Sequence, residues 1–463
     1  MIRRGLCFPE TGPREGLYFP PRSNNSTLKV AVLVSGGIAS GINAVIDGIV
    51  QRRWLYARSS NQTDGLTIFG LQNGFRALDA FAESYFMLVP GRDAGSGDRV
   101  VVTSDHANEG GAILGTSRVD DLIDANKRMH RLEIAVSVLR SNNIDILYII
   151  GGDGSMKAAH AIWSLARNRS GRPLSVVAVP KTMDNDILWV WQAFGFLSAV
   201  EKAREVIEHL HTEVKSNPRL CILQLFGSDS GYVVSHSVLA SATGHCDVAL
   251  IPEVPFSMNR LAKVMKDKMC KRRRRIPHGL IVMAETAIPT DAENYVAPNG
   301  VTPKIDIGLD RYEQDAILEY LELKKAGNRI QGQTSDFLRA AGLKIVKQGL
   351  SKLLPEVVLD SADQYQGFMP DWKELRVLAN EPRHLLRSVS PSCSDVIFGQ
   401  RLGMLSVDSA MAGYTDFMIS QWLTEYAVVP LSLVVLGRKR IPSSGIFWKS
   451  VRAKTGQPED MVT

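Results

Sequence analysis

Ile144-Asp145-Ile146-Leu147-Tyr148-Ile149-Ile150 runs directly into Gly151-Gly152-Asp153-Gly154-Ser155. A short, nearly continuous apolar run is the sequence form of a strand covered on both faces, as in a parallel sheet. The glycines then end the strand and open a helix. At such a turn, backbone N–H groups and the positive end of the helix dipole face outward and suit phosphate. Three glycines also let the main chain approach a polyphosphate closely. A carboxylate amid that negative charge is unfavourable without a cation, so Asp153 reads as a Mg²⁺ ligand. Mg²⁺ typically takes one or two carboxylates and completes its shell with phosphate oxygens. A plain Asp-Gly turn is the competing reading.

Outward from this segment, short apolar strands alternate with amphipathic helices from about Leu28, the pattern of parallel βαβ units. Upstream, a strand is expected at 30–34, then the turn Ser35-Gly36-Gly37 and helices at 41–50 and 119–139. Downstream, strands are expected at 175–179, 220–225, 248–251 and 279–284, with helices at 196–214, 231–242 and 259–270. Residues 288–334 read as an irregular, polar insertion. Helices return at 335–354 and 394–411, and an apolar tail spans 428–436.

The 463 residues, 45% hydrophobic and 22% charged, suit two or three lobes with a core that needs no disulfides. Cys7, Cys221, Cys246, Cys270 and Cys393 are scattered and form no CxxC pair, so reduced thiols in a cytoplasmic protein are expected. No apolar run reaches the ~18 residues that span a bilayer, and no membrane association is expected. Residues 1–27 lack the apolar core of a secretory signal and read as an arm. The net charge of +6 suits an anionic partner. Its densest run, Lys271-Arg272-Arg273-Arg274-Arg275, closes a helical stretch where cations complement the dipole. It reads as a solvated helix end rather than a nucleic-acid patch.

A second chemical segment, Pro180-Lys181-Thr182-Met183-Asp184-Asn185-Asp186, follows another apolar strand. Of its two carboxylates, one can remove a proton from an attacking hydroxyl while the other stays with a metal or holds the loop. Phosphoryl transfer needs positioning, charge neutralisation and such a base.

With both segments in this order and spacing, the chain resembles the phosphofructokinase family from about residue 28 to 436. The resemblance implies an α/β fold of two Rossmann-like three-layer lobes with largely parallel sheets. The arm 1–27 would precede a nucleotide- and phosphoryl-binding lobe over 28–186. A sugar-phosphate-binding lobe would cover 187–393, with the insertion near 288–334, and residues 394–463 would pack back across the lobes. The implied reaction is ATP- and Mg²⁺-dependent phosphorylation of the C1 hydroxyl of fructose 6-phosphate.

In that reading Asp184 is the general base, and Thr182 contacts the substrate or the transferred group. Gly36, Gly37, Arg118, Gly152, Asp153, Gly154, Ser155 and Lys181 hold the nucleotide phosphates and metal. Arg118 closes Gly110-Gly111-Ala112-Ile113-Leu114-Gly115-Thr116-Ser117-Arg118 and supplies a fixed cation for the charge in flight. Met183, Phe226, Gly227 and Ser228 line the sugar side, and Glu285 binds sugar hydroxyls. Arg219 reaches the 6-phosphate across a subunit interface, joined by His384 and Arg387, with Arg376 a further basic contributor. Convergent arginines suit a phosphate dianion. The implied assembly is a homodimer or homotetramer with shared active sites.

Gly154 beside Lys181 resembles the ATP-using members of the long-chain clade, since Asp in place of Gly154 marks pyrophosphate users. The chain departs from the pattern at Ser228, where the family carries Arg, and at Thr286, where it carries Gly. It also departs at Ile38-Ala39-Ser40, where a Pro usually precedes the next Gly, and at the bulky Ile187-Leu188-Trp189-Val190-Trp191-Gln192. Most of these changes gather on the sugar side. They leave open pyrophosphate as donor, a different sugar phosphate as acceptor, or a non-catalytic regulatory homologue.

Overall fold

The segment that decides the fold is a central strand in the computed structural model, which describes residues 28–59, 66–91, 99–117, 128–168, 174–297, 303–325, 333–359, 370–372 and 374–463. It belongs to an eight-stranded sheet. In spatial order the strands are Glu425–Pro430 (β12), Phe417–Trp422 (β11), Ser175–Pro180 (β6), Ile146–Gly151 (β5), Lys29–Val34 (β1), Thr67–Leu71 (β2), Tyr85–Pro90 (β3) and Arg99–Val102 (β4). The central run β11-β6-β5-β1-β2 is parallel. Among the described residues, antiparallel pairs occur only toward the edges, at β11–β12 and β2–β3.

Alternation along these strands feeds two cores. Val30, Val32, Ile146, Tyr148, Ile150, Val177 and Val179 enter one cluster. Ala31, Leu33, Leu147, Ile149, Val176 and Ala178 enter the other. Both faces are covered, which is why the strands read as unbroken apolar runs. Helices Ile42–Ser59 and Cys393–Met411 pack on this sheet and approach each other very closely. A Cβ at Gly48 would lie 2.2 Å from the Gln400 carbonyl oxygen, and one at Gly403 would lie 2.3 Å from that of Val45.

A second sheet contains Val377–Asn380 (β10), Leu220–Leu225 (β7), Gly279–Ala284 (β9) and Val248–Leu250 (β8), in that order and all parallel. The chain divides into two compact units. One holds the described residues up to Ala199 with Arg387–Lys439; the other holds Val200–Leu386 and Arg440–Thr463. The α/β class with largely parallel sheets is the one the sequence implied.

Several elements differ from expectation. Residues 288–334 are not irregular throughout, because Arg311–Lys325 is a helix. Glu313, Ala316 and Ile317 recur at helical spacing and are buried, and Lys344 on the helix Gln333–Glu356 reaches Glu313 at 2.8 Å. The polar residues between them obscured that stripe. The apolar tail is β12 followed by the short helix Leu431–Val434. The helix expected over 119–139 is described from Arg128 to Ser141; residues 118–127 lie outside the described residues. The basic run closes the helix Met258–Lys271, and Arg272 is tied back to Asp247 and to the His278 carbonyl. Among the described residues, no helix is long and apolar enough to cross a membrane.

Candidate active site

Parallel neighbours β1, β5 and β6 end side by side, so the turns that follow them meet. After β1, the Ser35 N–H donates to the Ile150 carbonyl at 2.9 Å, and the Gly36 N–H to that of Ser117 at 2.9 Å. The Thr116 hydroxyl donates to the Gly36 carbonyl at 2.7 Å. Gly36 has φ +90°, and a Cβ there would lie 3.1 Å from Lys181 Nζ. The backbone angle favours glycine there, and the lysine packs closely against it.

After β5, Gly152 caps the helix Asp153–Arg167. The register pairs Gly151 with Pro180, and a Cβ on Gly152 would stand 3.5 Å from the Lys181 carbonyl oxygen. The two motif turns thus abut. Asp153 and Ser155 are buried and Gly154 is half-buried. The Asp153 carboxylate faces Lys157 Nζ at 3.0 Å and Arg438 Nη2 at 3.1 Å.

After β6, the Lys181 N–H donates to the Gly151 carbonyl at 2.8 Å, and its side-chain amine donates to the Gly37 carbonyl. Burial pushes the Lys181 amine down to about 8, partly offset by Asp184 and Asp186 and deepened by Arg387. Arg387 also adjoins the first turn, with Nη1 3.8 Å from a Cβ position on Gly37. Next, the Thr182 hydroxyl donates to Asp186 Oδ1 at 3.0 Å and accepts from the Asp184 N–H at 3.1 Å. Met183 is buried and Asp184 half-buried. Asn185 has φ +53°, and its side-chain oxygen accepts from the Ala193 N–H at 3.1 Å. Arg438 Nη1 lies 3.2 Å from Asp186 Oδ2. Gly36, Gly37, Gly152, Asp153, Lys181, Thr182, Asp184 and Arg387 therefore form one cluster. Arg118 lies outside the described residues.

In the other unit, the C-terminal ends of β7 and β9 carry the candidate sugar-side residues. The Ser228 N–H donates to Glu285 Oε1 at 2.9 Å, and the Thr286 hydroxyl donates to the Ser228 carbonyl. Ser228 takes φ +49°. Phe226 lies under Arg383, 5.6 Å from guanidinium carbon to ring centre, and His384 follows on the same short helix, exposed. Arg219 stands apart from Ser228 and Glu285. It precedes β7 at the opposite end of that strand, where it pairs with Glu213 at 3.2 Å. Arg376 is exposed, and its carbonyl accepts from the Leu220 N–H at 2.9 Å.

Among the described residues, no group of three or more His, Cys, Asp or Glu side chains could cage a metal. The donor set at the glycine turn is one buried carboxylate, Asp153, beside main-chain N–H groups. That set fits Mg²⁺ arriving with phosphate oxygens and does not fit a zinc or calcium cage.

The motifs did not identify Arg438, Lys439 or Lys157. The cationic stretch Gly437-Arg438-Lys439-Arg440 at the end of the apolar tail was the one available signal. Lys439 donates from its N–H to the Asp186 carbonyl at 2.8 Å and from its amine to that of Val190 at 2.7 Å. Burial pulls its amine down to about 8. Trp189 packs against the core, whereas Trp191 is exposed.

Glycine turns gathered at the C-terminal ends of parallel strands, with paired carboxylates beside them, are the arrangement typical of phosphate-handling α/β proteins. The chain belongs to the phosphofructokinase family, whose model, described as Phosphofructokinase, matches residues 29–410. A Borreliella burgdorferi protein named ATP-dependent 6-phosphofructokinase is 28% identical, covering 98% of this chain and 86% of the relative. One of the same name from Amycolatopsis methanolica is also 28% identical, covering 98% and 83%. The fold is similar to that of the pyrophosphate-dependent phosphofructokinase from Nitrosospira multiformis, with a TM-score of 0.62 at 17% identity, covering 93% of this chain and 92% of the other. The corresponding enzyme from Marinobacter aquaeolei gives 0.60 at 18%, covering 90% and 86%. At these identities the two structures speak to the fold alone.

Proposed function

We propose that this chain is an ATP- and Mg²⁺-dependent 6-phosphofructokinase, transferring the γ-phosphoryl group of ATP to the C1 hydroxyl of fructose 6-phosphate. The observation that carries the reading is the meeting of three turns, at Gly36, Gly152 and Lys181, beside Asp184. The names of the nearly full-length relatives support ATP as donor, as does the small Gly154.

Asp184 accepts the proton of the C1 hydroxyl. The C1 oxygen so deprotonated then forms the bond to the γ-phosphorus as the bond to the departing ADP breaks. Thr182 fixes the Asp184 backbone, and Lys181 brings positive charge to the first turn. Mg²⁺, when bound with the nucleotide through Asp153, supplies neutralisation of polyphosphate charge. Glu285 and Ser228 bind the sugar, and its 6-phosphate is bound by His384 and Arg387 with Arg219 reaching in across a subunit interface. The active form is a homodimer or homotetramer. Buried, scattered thiols at Cys221, Cys246 and Cys270 favour a reducing compartment such as the cytoplasm.

The test is ADP release from purified protein with fructose 6-phosphate, run beside a panel of other sugar phosphates and with pyrophosphate replacing ATP. Asp184→Asn is expected to lower turnover by roughly 10²- to 10⁴-fold while nucleotide still binds. Turnover with pyrophosphate alone, or only with another acceptor, would overturn the donor or the acceptor respectively.

A further inference from the structure

One cation enters the phosphoryl-transfer centre from beyond residue 410, where the family match ends. Arg438 forms a backbone bridge to Ile187, which pins it against the end of the Lys181–Asp186 turn. Its neighbour Lys439 reinforces that anchor through the Asp186 carbonyl at 2.8 Å and the Trp191 carbonyl at 3.0 Å. From this fixed base the guanidinium divides, with Nη1 3.2 Å from Asp186 Oδ2 and Nη2 3.1 Å from Asp153 Oδ2. Both carboxylates are 7% exposed at the side chain, and Arg438 is 25% exposed.

Two buried carboxylates on adjacent strand ends repel each other and need a shared cation. A planar guanidinium supplies it with a fixed spacing between its two donors, which a lysine cannot do. Lys157 reaches Asp153 alone. The consequence runs along a chain of bonds: Arg438 holds Asp186, Asp186 accepts from Thr182, and Thr182 accepts from the Asp184 N–H. The other arm of the same guanidinium sets Asp153 at the head of its helix.

We propose that Arg438 is a positioning residue for the transfer step, holding the metal-side carboxylate Asp153 and the turn that carries the base Asp184 at a fixed separation. The proposal rests on the roles given above to Asp153 and Asp184. It adds a residue that no motif supplies.

Arg438→Met, Arg438→Lys and Arg438→Ala are compared with wild type and Asp184→Asn by steady-state kinetics, thermal melting and Mn²⁺ binding with ATP present, read by electron paramagnetic resonance. Arg438→Met is expected to lose about 10²-fold in kcat, with KM for fructose 6-phosphate within about threefold of wild type. Mn²⁺ is expected to bind several-fold more tightly, because a positive charge next to Asp153 is gone. Arg438→Lys retains the charge but not the fork, so Mn²⁺ affinity stays near wild type while kcat falls about tenfold. Added guanidinium ion is expected to restore part of kcat to Arg438→Ala.

A kcat of Arg438→Met within about twofold of wild type overturns the proposal. So does a loss of kcat with unchanged Mn²⁺ affinity and no rescue by guanidinium, which marks a purely structural pair. If Arg438→Met does not fold, Arg438→Lys decides, and wild-type kcat in that variant overturns the inference. An inactive Asp184→Asn beside normal Arg438 variants refutes only the positioning role. An active Asp184→Asn refutes the underlying reading of the site.

Discussion

At Lys181 the chemistry of the site and the cost of folding oppose each other. The lysine is buried, and burial lowers its amine from 10.5 to about 8. Between those two values the unfolded chain binds more protons than the folded one, so stability gains as pH rises through that window. Function runs the other way. A charged Lys181 at the first glycine turn favours a bound polyphosphate, so kcat/KM for ATP is expected to decline as pH rises past about 8, since kcat/KM reports the free enzyme. Lys181→Arg keeps its charge beyond about pH 10 and is expected to flatten that limb in a pH–rate profile. An unchanged limb in Lys181→Arg would assign the titration to another group. Residues of this kind were legible in the sequence, because Lys181 and Asp184 lie within seven consecutive residues whose types state their chemistry. Arg438 was not, because nothing in its local sequence says that it lies beside carboxylates 252 and 285 positions away (438 less 186 and 438 less 153).

At the scale of elements, β1, β5 and β6 were readable because burial on both faces leaves an apolar run that ends in a glycine turn. β10 was not, since it is four residues long with only Val377 buried, and the helix Arg311–Lys325 was not, since polar residues interrupt its apolar stripe. The helix Cys393–Met411 was readable as a helix, but its partner was not. Its packing depends on close approach to Ile42–Ser59, and the glycines that permit it look like ordinary helix-weakening residues in sequence. Gly403→Ala would place a methyl 2.3 Å from the Val45 carbonyl oxygen, and neither helix backbone can yield without moving the other. The substitution is expected to cost ~1–3 kcal/mol, seen as a lower midpoint in chemical denaturation. Turnover measured well below the melting temperature should be retained, since Gly403 touches none of the candidate site residues. Unaltered stability would mean that the two helices slide freely.

For the whole molecule, the position of Arg219 sets the question of how many chains make one site. It precedes β7, whereas Ser228 and Glu285 follow the C-terminal ends of β7 and β9. A six-residue strand at ~3.3 Å per residue separates those ends by about 20 Å, beyond the reach of one arginine side chain. If Arg219 serves the sugar phosphate, it does so in the site of a second copy. Mixing two impaired variants tests this directly. In a hybrid dimer of Asp184→Asn and Arg219→Ala, one site receives an intact Asp184 from one chain and an intact Arg219 from the other, while the second site lacks both. Random equimolar reassembly then makes half the dimers hybrid with one good site each, so roughly a quarter of wild-type activity is expected at limiting fructose 6-phosphate in a two-fold symmetric pair. Each variant alone should stay far below that level. If Arg219 acts within its own chain, each hybrid contains one chain without the base and one without the arginine, and mixing gains nothing. Activity that rises only after dissociation and reassembly, and not on simple mixing, would tie the recovery to exchange of subunits.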